Sequence, residues 1–302
     1  MTQPIAKNIL ITGATSGIGR DAALDLARRG FRVFATGRNA AALARLEAEN
    51  LANLTAFRLD VADTTSIAEA RARILEATAG AGIDILINNA GYGDLGPAEE
   101  VTDADLRAQF ETNVFGLMAV TRAFLPEMRE RRGGRILNVS SIGGRVTMPL
   151  FGAYSASKYA VEALSDALRM ELFAFGIRVV LIEPGPINTE FTSRAMDNAD
   201  KYRDPSSPYA PMLARAERLS AMAERAGVPP AVTTRAIRRA ITSRRPRARY
   251  VAPFRGHLAI AMARLVPTWL TDAAMRSMTG FTRKHLDRSL AAGPHDSLPR
   301  PA

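Results

Sequence analysis

Near the N-terminus a short apolar run, Asn8-Ile9-Leu10-Ile11-Thr12, breaks into Gly13-Ala14-Thr15-Ser16-Gly17-Ile18-Gly19. A stretch of helical character follows, Arg20 to Arg29, closed by Gly30. A short apolar run bounded by turn residues reads as a buried strand, and Gly past the last helical residue is a stop signal. Three glycines between strand and helix let the backbone approach a pyrophosphate, whose negative charge then faces the positive end of the helix. The G-x-x-x-G-x-G spacing differs from the G-x-G-x-x-G dinucleotide fingerprint. The strand–turn–helix setting, not the spacing alone, therefore carries the expectation of a dinucleotide.

The same alternation repeats down the chain. Strands are expected at Phe31–Thr36, Leu54–Leu59, Ile83–Asn88, Arg135–Ser140 and Arg178–Glu183, with a last one at Arg249–Ala252. Helices are expected at about Thr65–Thr78, Asp103–Arg132 with a kink near Pro126, Tyr154–Phe175 and Pro229–Ser243. Strands that are apolar on both faces and alternate with helices form a parallel sheet covered on both sides. The expected fold is α/β: a Rossmann-type doubly wound parallel sheet with a helical C-terminal extension. Residues 1–253 form the catalytic domain in this reading. An insertion over 189–227 breaks the regularity, with an irregular centre at Asp204-Pro205-Ser206-Ser207-Pro208. Residues 254–302 form the extension, helical from Phe254 to Leu290 and frayed beyond Ala291.

Composition removes several chemistries. The chain has no Cys and three His, so thiolate and His-based metal sites are poorly supplied and no metal is expected. The first twelve residues lack a secretory signal pattern and no apolar run reaches transmembrane length, which makes the cytoplasm the expected compartment. The net charge of +10 is uneven: residues 201–302 hold 19 basic and 6 acidic side chains. No nucleic-acid motif accompanies that basicity.

Tyr154-Ser155-Ala156-Ser157-Lys158 puts a phenol and an ammonium four residues apart at the start of a helix, hence on one face. Composition alone would give about 0.08 such pairs in the whole chain. A neighbouring cation favours the phenolate and should lower the tyrosine pKa, making a proton donor and acceptor for neutral pH. At the end of the second strand, Ala35-Thr36-Gly37-Arg38-Asn39 has no carboxylate to receive a free ribose. Arg38 matches a 2′-phosphate instead, which favours NADP(H) over NAD. Asp60, closing the third strand in Leu59-Asp60-Val61, is placed to accept from an adenine amino group.

Over roughly residues 5–190 the chain resembles a classical short-chain dehydrogenase/reductase. Thr12-Gly13-x-x-x-Gly17-x-Gly19 matches the family's cofactor turn, and Asn88-Asn89-Ala90-Gly91 matches its NNAG element. Asn113, Ser141, Tyr154 and Lys158 match its catalytic tetrad, and Pro184-Gly185-Pro186-Ile187-Asn188-Thr189 matches the loop that flanks the nicotinamide. The resemblance implies that Tyr154 is the general acid in reduction and the base in oxidation. Lys158 would lower its pKa and bind the nicotinamide ribose, Ser141 would hold the substrate oxygen, and Asn113 would anchor a water in a proton relay. It also implies that the cofactor is held by Gly13, Ser16, Gly17, Ile18 and Gly19, by Arg38, Asp60 and Val61, and by Asn89. Tyr154, Lys158, Pro184, Ile187 and Thr189 would complete that set. Family members often dimerise through the helices expected at 103–132 and 154–175, which implies a homodimer or homotetramer.

Within the family, Gly91-Tyr92-Gly93-Asp94-Leu95-Gly96-Pro97, Pro149-Leu150-Phe151-Gly152-Ala153-Tyr154 and the C-terminal extension resemble the 17β-hydroxysteroid and retinol dehydrogenase branch. The implied substrate is a bulky apolar alcohol or ketone of steroid-, retinoid- or lipid-like type. Met148, Leu150 and the 189–227 insertion are expected to line its pocket; the insertion's Met212, Leu213, Leu219 and Met222, at near-helical spacings, either face that pocket or pack as core. A 3-oxoacyl-thioester reductase is the alternative enzyme, and a cofactor-sensing regulator without chemistry is the alternative class. Leu258 to Leu270 suits either weak peripheral contact with a membrane or, the favoured reading, packing over the substrate mouth or another subunit.

Overall fold

Period and polarity place a strand at each expected apolar run. The computed structural model describes residues 7–204, 206–216 and 227–283. Its strands are β1 (Asn8–Ile11), β2 (Arg32–Gly37), β3 (Leu54–Arg58), β4 (Ile85–Asn88), β5 (Gly134–Val139), β6 (Ile177–Pro184) and β7 (Arg249–Ala252). They form one parallel sheet in the order β3-β2-β1-β4-β5-β6-β7. The helices around it are α1 (Gly17–Arg28), α2 (Ala40–Glu47), α3 (Thr64–Ala77), α4 (Asp103–Phe110), α5 (Leu117–Glu130), α6 (Gly152–Glu171), α7 (Glu190–Ala199) and α8 (Ala231–Thr242). Two more, α9 (Gly256–Leu265) and α10 (Thr268–Thr279), follow β7.

Alternate residues of each strand enter opposite layers. Ile9, Ile11, Val33 and Val180 pack with Leu26 of α1 and Ile237 and Ile241 of α8. Leu10, Phe34, Leu86 and Ile136 pack with Ile74 of α3, Phe124 of α5 and Leu168 of α6. Both layers are buried and apolar, which is why the strands read as continuous apolar runs rather than alternating ones. The strand order reverses between β1 and β4. The loops leaving their carboxyl ends diverge there and open a crevice.

Three departures from the expected elements bear on function. The helix expected over Asp103–Arg132 is α4 and α5 joined by a π-helical segment, Glu111–Gly116, and α5 runs through Pro126. The irregularity therefore sits at Asn113, thirteen residues before Pro126, rather than at the proline itself. A Cβ on Gly116 would lie 2.7 Å from the Val61 carbonyl oxygen, so the segment passes directly against the loop that leaves β3. Second, α6 begins at Gly152 and ends at Glu171, with a single 3-10 turn over Phe173–Phe175 before Gly176. Third, the ends of the 189–227 insertion are pinned together: Ile187 bridges Val228, and the Asn188 amide donates to the Val228 carbonyl at 2.9 Å. Leu219, Met222 and Ala291–Ala302 lie outside the described residues.

Candidate active site

The turn after β1 is built for close approach. Gly13 and Gly17 hold φ of +65° and +53°, values that favour glycine. A Cβ on Gly19 would sit 2.3 Å from the Gly13 carbonyl oxygen, so the turn folds tightly onto the first residues of α1. Asn89 clamps it from β4: its amide donates to the carbonyls of Thr12 and Gly13 at 3.1 and 2.9 Å. The Thr12 hydroxyl accepts from the backbone of Asn89 and Ala90 in return. Ser16 occupies the N-cap of α1 without a side-chain cap, and the first turn carries no acidic residue. A helix start left uncapped at a glycine turn fits a phosphate group.

One cleft of about 920 Å³ runs from this turn to the C-terminal helices. Its walls include Gly13, Ser16, Gly17, Ile18, Arg38, Asp60, Val61, Asn89, Ser141, Tyr154, Lys158, Pro184, Ile187 and Thr189. Two expected site residues do not line it. Gly19 lies beneath the turn, packed on Gly13, and Asn113 is buried behind the wall. At the adenosine end, Arg38 stands exposed with its guanidinium 3.9 Å from the Asp60 carboxylate. The other Asp60 oxygen accepts from the Ala62 amide at 3.1 Å. Thr189 caps α7 and its methyl packs against Gly17, which joins the insertion to the glycine turn.

At the opposite end α6 presents Tyr154 and Lys158 one turn apart, as the spacing requires. Both are buried. The Tyr154 ring is held between Phe151 and Phe191, at centroid distances of 6.2 and 5.3 Å. Ser141 follows β5 as the N-cap of a 3-10 turn over Ile142–Gly144, where its Oγ accepts from the Gly143 amide at 2.9 Å and lies close enough to bond the phenol. Lys158 Nζ donates to the Val139 carbonyl at 2.9 Å and stays 5.8 Å from the Tyr154 ring centre. Asn113 ties three elements: it accepts from the Tyr92 amide at 3.1 Å, and donates to the Tyr92 carbonyl and to Ser157 Oγ, each at 3.0 Å. Ser157 Oγ donates onward to the Tyr154 carbonyl at 2.7 Å.

The expected lowering of the tyrosine pKa is not what this arrangement gives. Burial pushes the Tyr154 phenol up to about 12, with the Ser141 hydroxyl pulling weakly the other way. Burial also brings the Lys158 ammonium down to about 8, opposed by the Glu162 carboxylate one turn along α6. With its Nζ spent on Val139, Lys158 does not offset the desolvation of the phenol. Phe191 and the acid–base cluster behind Lys158 left no sequence signal. In that cluster Arg249 reaches Glu162 and Glu183, each at 3.1 Å, and Arg145 reaches Glu183 at 3.0 Å.

Residues 7–200 match the family model described as short chain dehydrogenase. The chain belongs to the short-chain dehydrogenase family. This short-chain dehydrogenase is 35% identical over 271 residues to a 3-ketodihydrosphingosine reductase of Bacteroides thetaiotaomicron, covering 89% of this chain and 94% of that one. It is 32% identical over 267 residues to an NADPH-dependent 3-dehydrocapnine reductase of Ornithobacterium rhinotracheale, covering 87% and 94%. Human 17-beta-hydroxysteroid dehydrogenase type 1 is 38% identical over 205 residues, 65% of this chain and 61% of that one. Among solved structures, a short-chain dehydrogenase/reductase of Burkholderia phymatum in complex with NAD superposes with a TM-score of 0.74 at 28% identity, over 99% of this chain and all of that one. The doubly wound sheet and oxidoreductase membership are thereby the family's own.

Leu150 and Met212 line the cleft with Met148, as expected. Leu213 does not. It is buried against Leu95, Leu150, Ala199 and Tyr202, a small core beneath the insertion.

Proposed function

We propose that the chain is an NADP(H)-dependent oxidoreductase that interconverts an alcohol and a ketone or aldehyde on a bulky apolar substrate of steroid, retinoid or lipid type. One observation carries the reading: Ser141, Tyr154 and Lys158 share a single cleft with the glycine turn at one end and Met148, Leu150, Phe191, Met212 and Met275 at the other. The bound nicotinamide supplies or accepts the hydride. Tyr154 Oη gives the proton to the nascent alkoxide in reduction and takes it back in oxidation. A phenol held well above its ordinary pKa keeps that proton throughout the neutral range, so it waits as a donor. Ser141 Oγ fixes the substrate oxygen beside it. Asn113 is a positioning residue here, bracing the Tyr92 loop against the helix that carries Tyr154.

NADP(H) is supported by Arg38 and by the absence of a carboxylate at the end of β2; Asp60 balances the guanidinium without neutralising the site for a phosphate. An NADPH-dependent relative agrees; a structural neighbour was solved with NAD, so cofactor titration is the direct test of this choice. A 3-ketodihydrosphingosine reductase among the relatives fits the lipid-like ketone. Residues 1–253 act as the catalytic unit and 254–302 as the extension. Exposed Leu106 and Phe115, beside Tyr159, Met170 and Phe173 of the α6 region, support association of two copies through the α4–α5 and α6 faces. The test is a panel of ketones and aldehydes of graded size, followed by NADPH absorbance. Turnover that rises with apolar bulk is expected; turnover of small polar carbonyls alone refutes the substrate class.

A further inference from the structure

The helices after β7 expose what a folded chain ordinarily hides. Leu258, Met262 and Leu265 recur at helical spacing along α9, Phe254 stands just before it, and Trp269 follows at the start of α10. Phe254 is 84% exposed, Leu265 83% and Trp269 69%. Of α9 only Gly256 and Ile260 are buried, and of α10 no residue is. Large apolar side chains left exposed on two consecutive helices mark an interaction site. Its charge is one-sided: between 254 and 283 the chain carries Arg255, Arg264, Arg276 and Arg283 against Asp272 alone.

We propose that this face of α9 and α10 docks on an anionic lipid surface. Apolar side chains flanked by arginine, with an interfacial tryptophan, are the features of a helix that lies in the headgroup plane. Among the described residues no helix is long and apolar enough to cross a membrane, so the contact is peripheral. Charge favours lipid over a second copy, since two such faces would bring like-charged surfaces together. The face that resembles the family's pairing surface lies on α4, α5 and α6 and has its own exposed apolar side chains. Ala259, Met275 and Thr279 of the same two helices line the cleft. The docked helices would therefore hold the cleft mouth at the lipid surface, a consequence that rests on the apolar-substrate reading above.

Trp269 is the chain's single tryptophan and stands exposed at the start of α10, so tryptophan fluorescence reports on these helices. The purified full chain is mixed with phosphatidylcholine vesicles, with or without phosphatidylglycerol, carrying brominated acyl chains in parallel samples. Phosphatidylglycerol vesicles should shift the emission to the blue and the brominated chains should quench it, with little effect from phosphatidylcholine alone. Arg264→Gln and Arg276→Gln should each weaken partitioning about fivefold, the equivalent of about 1 kcal/mol per basic residue near an anionic surface. Leu258→Glu with Leu265→Glu should abolish the quenching and leave turnover of a small soluble ketone unchanged. No shift with anionic vesicles, or equal binding to both compositions, overturns the proposal. So does a Trp269 emission already that of a buried indole before vesicles are added, with Leu265→Glu splitting a dimer in sedimentation. A failed ketone panel refutes the substrate reading while leaving vesicle binding as a separate result.

Discussion

Replacing Lys158 with Met should change how stability depends on pH, in a direction that burial dictates. The ammonium is enclosed, meets one carbonyl at 2.9 Å and titrates near 8 instead of 10.5. That displacement corresponds to roughly 3 kcal/mol between the two protonation states. Below pH 8 both folded and unfolded chains hold the proton, and the folded chain carries a buried charge at full cost. Between pH 8 and 10.5 the unfolded chain still binds the proton while the folded one has released it, so wild-type stability should rise with pH across this window. The Tyr154 phenol acts in the opposite sense, but only above its ordinary value of 10 and toward about 12, where the folded chain keeps a proton that the unfolded one has lost. It is present in both proteins, so it drops out of the comparison. Guanidinium chloride titrations of cofactor-free wild type and Lys158→Met at intervals from pH 7 to 10.5 measure the difference. Wild type should gain about 3 kcal/mol relative to the variant between pH 8 and 10.5. Parallel curves would refute the claim that desolvation, not pairing, governs this lysine.

Cofactor choice should rest on Arg38: Arg38→Asp should weaken NADPH binding at least tenfold and leave NADH less affected, measured by fluorescence titration, because a carboxylate repels the 2′-phosphate. Equal wild-type affinity for the two cofactors would remove the NADP(H) assignment. The neighbours Met212 and Leu213 should separate. Met212→Ser should lower kcat/KM for bulky ketones with little loss for small ones. Leu213→Ala should cost about 2–5 kcal/mol of stability and lower Tm, with substrate preference unchanged; the reverse pattern would place Leu213 rather than Met212 in the pocket.

The layers of this fold were legible in the sequence because a parallel sheet covered on both faces writes each strand as an apolar run between turn residues. Gly13, Gly17 and Gly19 were legible for a related reason: two need positive φ or close approach and the third has no room for a Cβ. The π segment at Glu111–Gly116 was not. Pro126 offers a local signal for a bend and sits in a regular helix, whereas the actual break is set by Asn113 bonding to Tyr92 and Ser157, contacts 21 and 44 residues away. Periodicity likewise placed Met212 and Leu213 together and could not say which of two adjacent residues faces the cleft. Tyr154 and Lys158 are neighbours, as helical spacing requires, but that spacing does not by itself lower the phenol's pKa. Helical spacing fixes which side chains are neighbours, but the balance between desolvation and a neighbouring charge depends on the walls that Phe151, Phe191 and Val139 supply.

The reading of this site stands on a transferable proton at Tyr154, and Tyr154→Phe removes that proton while keeping the ring between Phe151 and Phe191. With NADPH and whichever ketone of the panel turns over best, kcat should fall by about 10²–10⁴, the usual worth of a general acid, and the NADPH dissociation constant should stay within experimental error of wild type. A variant that keeps more than about a tenth of wild-type kcat would contradict the account.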